Sequence, residues 1–225
     1  ATFIDIGAYS SKPGADFVSE DEELARILPI ITRVLKEFPE ALLSIDTFRS
    51  RVAKECIQMG AALINDISAG KLDDTMLNTV ADLHVPYIMM HMRGTPQTMQ
   101  KDPKYTNLFE EMEAFFVERI AKADSFDIKD IVLDVGIGFG KSLEDNLSLI
   151  HHLAHFKKLH KDILIGASRK SMIDKVSSSS VEERLPGTLT IHLKAYENGA
   201  CIIRTHDVKE HVQAFKVHQA IATQL

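Results

Sequence analysis

Seven short apolar runs punctuate the chain, and a longer segment with helical spacing follows each of them. The runs cover residues 2–7, 41–46, 62–66, 86–91, 130–135, 162–167 and 200–205. They are short, apolar and bounded by polar or glycine positions, which predicts strands. The intervening segments, 19–38, 48–59, 73–83, 108–123, 143–160, 182–198 and 208–223, carry apolar residues three and four apart, which predicts amphipathic helices. Strict alternation of strand and helix predicts a parallel sheet with helices outside it. Seven units are one short of a closed (β/α)8 barrel. The expectation is therefore a single TIM-barrel domain over residues 1–225 whose first strand lies upstream of Ala1 and is absent from this chain. An open doubly wound sheet is the alternative.

The ends of the runs favour the barrel. Asp5, Asp46, Asn65 with Asp66, His91, Asp134, the Ser168-Arg169-Lys170 run, and Arg204 with His206 all fall at or just past the last apolar residue of a run. Polar groups at the same end of every strand converge on one face of a closed barrel. An open sheet needs them only at its switch point.

Composition narrows the partners. The 225 residues are 45% hydrophobic and 26% charged with a net charge of −6, an ordinary globular balance with no global pull toward nucleic acid or an anionic membrane. An anionic ligand must be held by local positive charge. Cys56 and Cys201 are the two cysteines and form no disulfide framework, which suits reduced thiols in the cytoplasm. No apolar run approaches the length of a membrane span.

The stretch D-I-V-L-D-V-G-I-G-F-G-K-S (130–142) runs from a buried strand through Asp134 into a loop with glycines at 136, 138 and 140. It is not a phosphate loop, because Val135 stands where the leading glycine is needed. Nor is it a dinucleotide fingerprint, because Lys141 stands where the third glycine is needed. Lys141 reads as a solvated lysine at a helix start. His151 and His155 are four apart and read as a solvated helix face rather than a metal site. His91 reads as a packed, hydrogen-bonded residue, and Met89, Met90 and Met92 as core and pocket lining. The acidic run 20–23 reads as a favourable first helical turn and nothing more. Ser177 to Ser180 reads as an exposed loop.

Two carboxylates (Asp46, Asp134) and an amide (Asn65) suit the edge of a nitrogen-rich heterocycle. Lys170, Arg204 and His206 suit an anion, helped by a helix predicted to start at Asp207–Val208. Together they point to a phosphorylated or pyrophosphorylated polar heterocycle.

Seven motifs at these strand ends carry a resemblance. They are D-I-G-A-Y-S-S-K-P-G (5–14), S-I-D-T (44–47), I-N-D-I (64–67), M-H-M-R-G-T-P-Q-T-M-Q (90–100), L-D-V-G-I-G-F-G-K (133–141), S-R-K-S (168–171) and R-T-H-D-V (204–208). In this order they resemble the dihydropteroate synthase family over essentially the whole chain. The resemblance implies a TIM barrel that condenses 6-hydroxymethyl-7,8-dihydropterin pyrophosphate with p-aminobenzoate. The products are 7,8-dihydropteroate and pyrophosphate, in folate biosynthesis.

It further implies that Asp134 and Asn65 bond the pterin ring, and that Asp46 stabilises positive charge as pyrophosphate departs. Lys170 would reach the pterin carbonyl and the aminobenzoate pocket, and Arg204 and His206 would anchor pyrophosphate. Ser171 and Thr205 would also touch substrate, and Ser11, Lys12 and Pro13 would lie on the loop that forms the aminobenzoate site. Magnesium, a homodimer, cytoplasmic location and sulfonamide binding in the aminobenzoate pocket are implied in the same way. The family's magnesium-associated asparagine belongs to the segment upstream of Ala1, so no metal ligand is expected in this chain.

The chain departs from the family pattern in three places. Ser-Thr-Arg-Pro-Gly reads Ser10-Ser11-Lys12-Pro13-Gly14, losing the planar fork of arginine. Asp-Pro-Gly reads Asp134-Val135-Gly136. The upstream Asn-x-Thr-Pro-Asp-Ser-Phe segment is not part of the chain. Two other readings share the pterin carboxylates: a methyltetrahydrofolate–corrinoid methyltransferase, which has no need for the anion set, and a non-catalytic pterin-binding paralogue.

Overall fold

The computed structural model describes residues 1–10, 16–94 and 104–223. Ser11, Lys12 and Pro13 lie outside the described residues, as does the 95–100 part of the motif that starts at Met90. Seven strands form one sheet: β1 (Phe3–Ile6), β2 (Leu42–Asp46), β3 (Leu63–Asp66), β4 (Tyr87–Met90), β5 (Ile131–Asp134), β6 (Asp162–Ile165) and β7 (Ile202–Ile203). Each strand pairs in parallel with the next one in sequence, from β1 through β7. A doubly wound sheet reverses its strand order at a switch point, and this one does not. The sheet curls into a half-barrel, and Arg204, just past β7, reaches back to β1, bonding Asp5 at 2.6 Å.

The pleat sorts side chains into two cores. On the concave face Leu63, Ile88 and Leu164 meet Val132 and Ile202. On the convex face Ile64, Tyr87, Met89, Leu133, Ile163 and Ile165 pack against the helices. Asn65 and Asp66 therefore face opposite sides. Asp66 is wholly buried and accepts from Tyr87 Oη (2.6 Å) and from the backbone of Ser68 and Gly70 (both 2.7 Å). It is a structural acceptor on the helix side, not part of the cavity.

The helices are α1 (Glu20–Glu37), α2 (Ser50–Gln58), α3 (Met76–Leu83), α4 (Leu108–Ser125), α5 (Leu143–His151), α6 (Ser171–Val176), α7 (Leu185–Glu197) and α8 (Val208–Ala222). Three features differ from the sequence expectation. The helix expected over 143–160 is α5 followed by a 3₁₀ segment, Leu153–Leu159. Asn198, beyond α7, takes the last α5 carbonyls, Ile150 O (2.8 Å) and His151 O (3.0 Å), and so ends that helix from outside. The short α6 was not expected. It tucks Met172 and Ile173 inward, and Ile173 sits so close to Gly187 that a Cβ there would meet it at 2.6 Å. The helix expected over 182–198 starts as a 3₁₀ turn, Glu182–Arg184, before α7.

The acidic first turn of α1 also does more than favour a helix. Glu23 is wholly buried and accepts from Thr47 Oγ1 (2.7 Å) and Arg49 (2.6 Å). That pairing ties α1 to the end of β2. Among the described residues no helix is long and apolar enough to cross a membrane.

Candidate active site

The concave face ends in polar groups at the carboxyl ends of the strands. Asp5 is the hub. Its carboxylate accepts from Ser44 Oγ (2.6 Å), from Asn65 Nδ2 (3.3 Å) and from Arg204 Nε (2.6 Å). Arg204 also donates to Asp46 at 3.1 Å. Asp46 and Asn65 are register partners on β2 and β3, so they stand side by side. Asp134 ends β5, where it is buried and accepts the Gly136 N–H at 2.7 Å.

Lys170 follows β6. Its ammonium donates to the Ile137 carbonyl and lies 4.7 Å from the Phe139 ring centroid. Of the expected site residues, Asp46, Asn65, Asp134, Lys170 and Arg204 thus come together at one mouth. Asp5, which the strand-end pattern marked but the expected site left out, is the carboxylate that Asn65 and Arg204 share. Period-two alternation was the available signal, since Ser44 and Asp46 must lie on one face of β2.

The cluster is electrostatically tight. Burial raises the Asp46 pKa to about 7, with Asp5 adding to the push and Arg204 opposing it. Burial also raises that of Asp134, countered first by Lys170. The same burial lowers Lys170 to about 8, against the pull of Asp134. Burial works against the Arg204 charge, but Asp5 and Asp46 outweigh it and raise the arginine further. Three carboxylates and two cations therefore share one cleft, and burial holds Asp46 near neutrality within it.

Two loops frame the cationic side. Ser168 accepts from the His206 N–H (3.3 Å) and lies 2.8 Å from His206 Nδ1. Arg169 forks onto Asp207 at 2.9 and 2.5 Å. Ser168 and Arg169 thus tie the loop of Lys170 to the loop of Arg204 and His206. Thr205 is turned the same way: its hydroxyl accepts from the Asp207 N–H at 3.2 Å. Ser171 opens α6 and is exposed.

The chain is similar over nearly its whole length to known proteins. The family model described as "Pterin binding enzyme" matches residues 1–206. The dihydropteroate synthase of Escherichia coli (strain K12) is 41% identical over 222 residues, which is 98% of this chain and 78% of that protein. The Yersinia pestis dihydropteroate synthase, solved with a sulfonamide drug complex, superposes with a TM-score of 0.95 at 37% identity, covering 99% of this chain and 81% of that one. The Xanthomonas albilineans dihydropteroate synthase with 4-aminobenzoic acid gives a TM-score of 0.92 at 38% identity, covering 99% and 80%.

This chain belongs to the dihydropteroate synthase family.

It is accordingly an enzyme, a transferase of folate synthesis, and the β5–α5 loop leads directly away from Asp134. That loop is where the sequence reading of Lys141 fails. Lys141 is only 5% exposed, so it is neither solvated nor available to a phosphate. Its Nζ is surrounded by the carbonyls of Phe139 (3.0 Å), Gly136 (3.1 Å) and His91 (3.2 Å) and by His91 Nδ1 (3.0 Å). Burial lowers its pKa to about 7.

His91, buried and packed edge-on to Phe115, is driven down to about 2 by burial and then by Lys141, so it presents a bare nitrogen to the amine. The contact is close enough that Gly136, at φ +65°, cannot carry a Cβ, which would lie 2.1 Å from the His91 carbonyl. His155, read as solvated, has a spatial partner in Glu113 at 3.0 Å. Among the described residues no three His, Cys, Asp or Glu side chains form a metal-holding group.

Proposed function

We propose that this cleft binds 6-hydroxymethyl-7,8-dihydropterin pyrophosphate and p-aminobenzoate and that its own residues divide the condensation between them. The observation that carries this reading is the convergence of Asp5, Asp46, Asn65 and Arg204 into one bonded set, with Asp134 and Lys170 at neighbouring strand ends. Asp134 accepts from the N–H edge of the pterin, and Asn65 both donates and accepts beside it. Lys170 donates to the pterin carbonyl and, with Phe139, borders the aminobenzoate. Arg204 and His206 hold the pyrophosphate. Ser11, Lys12, Pro13, Ser171 and Thr205 complete the substrate set as expected from the family.

The chemistry is ionisation followed by capture. The carbon–oxygen bond to pyrophosphate breaks, its electron pair leaves with the pyrophosphate, and the electron-rich pterin carries the cation. The aromatic amine then bonds that carbon and sheds a proton. Asp46, poised near neutrality, becomes an anion more readily as positive charge grows beside it, so its stabilisation is largest where it is needed.

Magnesium typically binds through substrate phosphates and one or two carboxylates. It would arrive with the pyrophosphate and supply charge neutralisation there. We read the chain as one domain whose half-barrel is completed by an eighth strand between β1 and β7. The exposed Phe3 and Ile4 on β1 support that reading. A cytoplasmic homodimer with a sulfonamide-sensitive aminobenzoate pocket follows from the family.

The deciding experiment is pyrophosphate release by the full-length protein with magnesium and both substrates. Release should require p-aminobenzoate as well as the pterin pyrophosphate. No release, or release indifferent to the amine, overturns the reading. Asp134→Ala should weaken pterin binding by about 1.5–3 kcal/mol, the worth of a charge-assisted bond. Unchanged affinity in calorimetry would remove Asp134 from the pterin edge.

A further inference from the structure

Behind the two anion-side loops, away from the cleft, two buried histidines touch. His192 on α7 is wholly buried and His211 on α8 is 5% exposed. Nδ1 of His192 lies 2.7 Å from Nε2 of His211, and the ring centroids are 4.9 Å apart. Neither residue belongs to a sequence motif, and the chemistry above uses neither.

The hydrogen bonds around the pair fix every proton. Nε2 of His192 accepts the Ala167 N–H at 3.0 Å, so that nitrogen is bare. A neutral ring then carries its proton on Nδ1 and donates it to His211 Nε2. His211 in turn carries its proton on Nδ1 and donates to the Asp207 carbonyl at 2.7 Å. One extra proton anywhere in this series sets two donors against each other. Burial first, then His211 and Lys170, lowers the His192 pKa to about 3, so the His192 ring is neutral at working pH.

The ends of the series explain what it is for. Ala167 immediately precedes Ser168-Arg169-Lys170, and Asp207 immediately follows Arg204-Thr205-His206. The relay is thus a buried brace between the loop that carries Lys170 and the loop that carries Arg204 and His206. Arg169–Asp207 and Ser168–His206 are the outer ties across the same gap. The groups facing the pair are Lys170 from the β6 loop, Thr205 Oγ1 at 3.3 Å from His211 Nδ1, the Arg169-paired Asp207, and Phe215 stacked on His211.

We propose that His192 and His211 are positioning residues which, as a hydrogen-bonded, tautomer-locked pair, set the spacing of the two loops that grip the pyrophosphate group. This rests on reading the cleft as a pyrophosphate site.

The test compares wild-type protein with His192→Phe, which keeps a ring but ends the relay. His192→Gln, which can still accept from Ala167 and donate to His211, is the conservative control. In calorimetry His192→Phe should bind inorganic pyrophosphate about tenfold more weakly. Its KM for the pterin pyrophosphate should rise likewise, while the affinity for the pterin alcohol lacking pyrophosphate stays within about twofold. His192→Gln should recover most of the loss. Unchanged pyrophosphate affinity in a folded His192→Phe overturns the proposal, as does an equal loss for both ligands.

Should His192→Phe not fold, the readout is the imidazole nitrogen resonances of wild-type protein. One bare and one protonated nitrogen on each ring, both rings shifting with pyrophosphate, supports the proposal; a mobile tautomer or no shift overturns it. A wild type that binds no pyrophosphate, with the tautomers as described, overturns the reading of the cleft and takes this proposal with it.

Discussion

Asp46 is a carboxylate held partly against ionisation beside an arginine that needs its charge. Its folded pKa is about 7 against an ordinary 3.8, with burial as the main cause and Asp5 second. The sign follows from linkage. Between pH 3.8 and 7 the folded state holds a proton that the unfolded state has lost, so this group's contribution to stability falls as pH rises through that window. Above pH 7 the full cost is present. A three-unit shift corresponds to at most about 4 kcal/mol, part of which the Arg204 bond returns. Asp46→Asn should therefore be more stable than wild type by about 1–2 kcal/mol at pH 8.5, indistinguishable from it near pH 3.5, below both pKa values, and severely slowed in pyrophosphate release. Urea denaturation at the two pH values checks the crossover. Equal stability at both would mean that Asp46 is not held near neutrality. Sequence order alone placed Asp46 at a strand end, but its strained ionisation depends on Asp5, which is distant in sequence, and on shared burial.

At the scale of elements, the strands and most helices were legible because each carries its own pattern, and residues 131–134 read as a strand from their apolar run alone. What escaped was set by contacts between distant segments. Nothing within 143–160 announces a break after His151; Asn198 supplies it. The β5–α5 loop is the sharper case. Lys141 follows Gly140 and precedes the capped start of α5, where a solvated lysine is the ordinary expectation, yet three carbonyls and His91 draw it inside.

This lysine gives the loop of Asp134 and Phe139 its shape. Lys141→Met keeps the stem and removes the donor, leaving buried carbonyls with lost partners. The expected cost is about 2–3 kcal/mol of stability. Pterin affinity should fall several-fold as the loop beside Asp134 loosens. Denaturant melts and calorimetry check both. A variant as stable as wild type would show that the cage is filled by water at no loss.

For the whole molecule, sequence alternation predicted parallel strands, and the polar strand ends separated a curled sheet from an open one. The sequential strand order bears out the curl. What no local pattern reveals is how the two ends of the arc are joined. Arg204 does this across 199 positions of sequence by bonding Asp5, with Asp46 as its second partner. The arginine side chain is 46% exposed, so solvent screens the pair and its net worth is well below that of a fully buried one.

Arg204→Met should cost about 1–2 kcal/mol, mainly by stranding Asp5 and Asp46 against each other. The location of the loss matters more than its size. Within this chain β1 and β7 each pair on one side only and this contact links them, whereas the middle strands β3–β5 are paired on both sides. Amide exchange in Phe3–Ile6 and Ile202–Ile203 should therefore speed up about tenfold, while β3–β5 keeps its protection. A uniform change across all strands would make Arg204 an ordinary stabilising residue. A change confined to β1 and β7 would make it the clasp between the two ends of the arc.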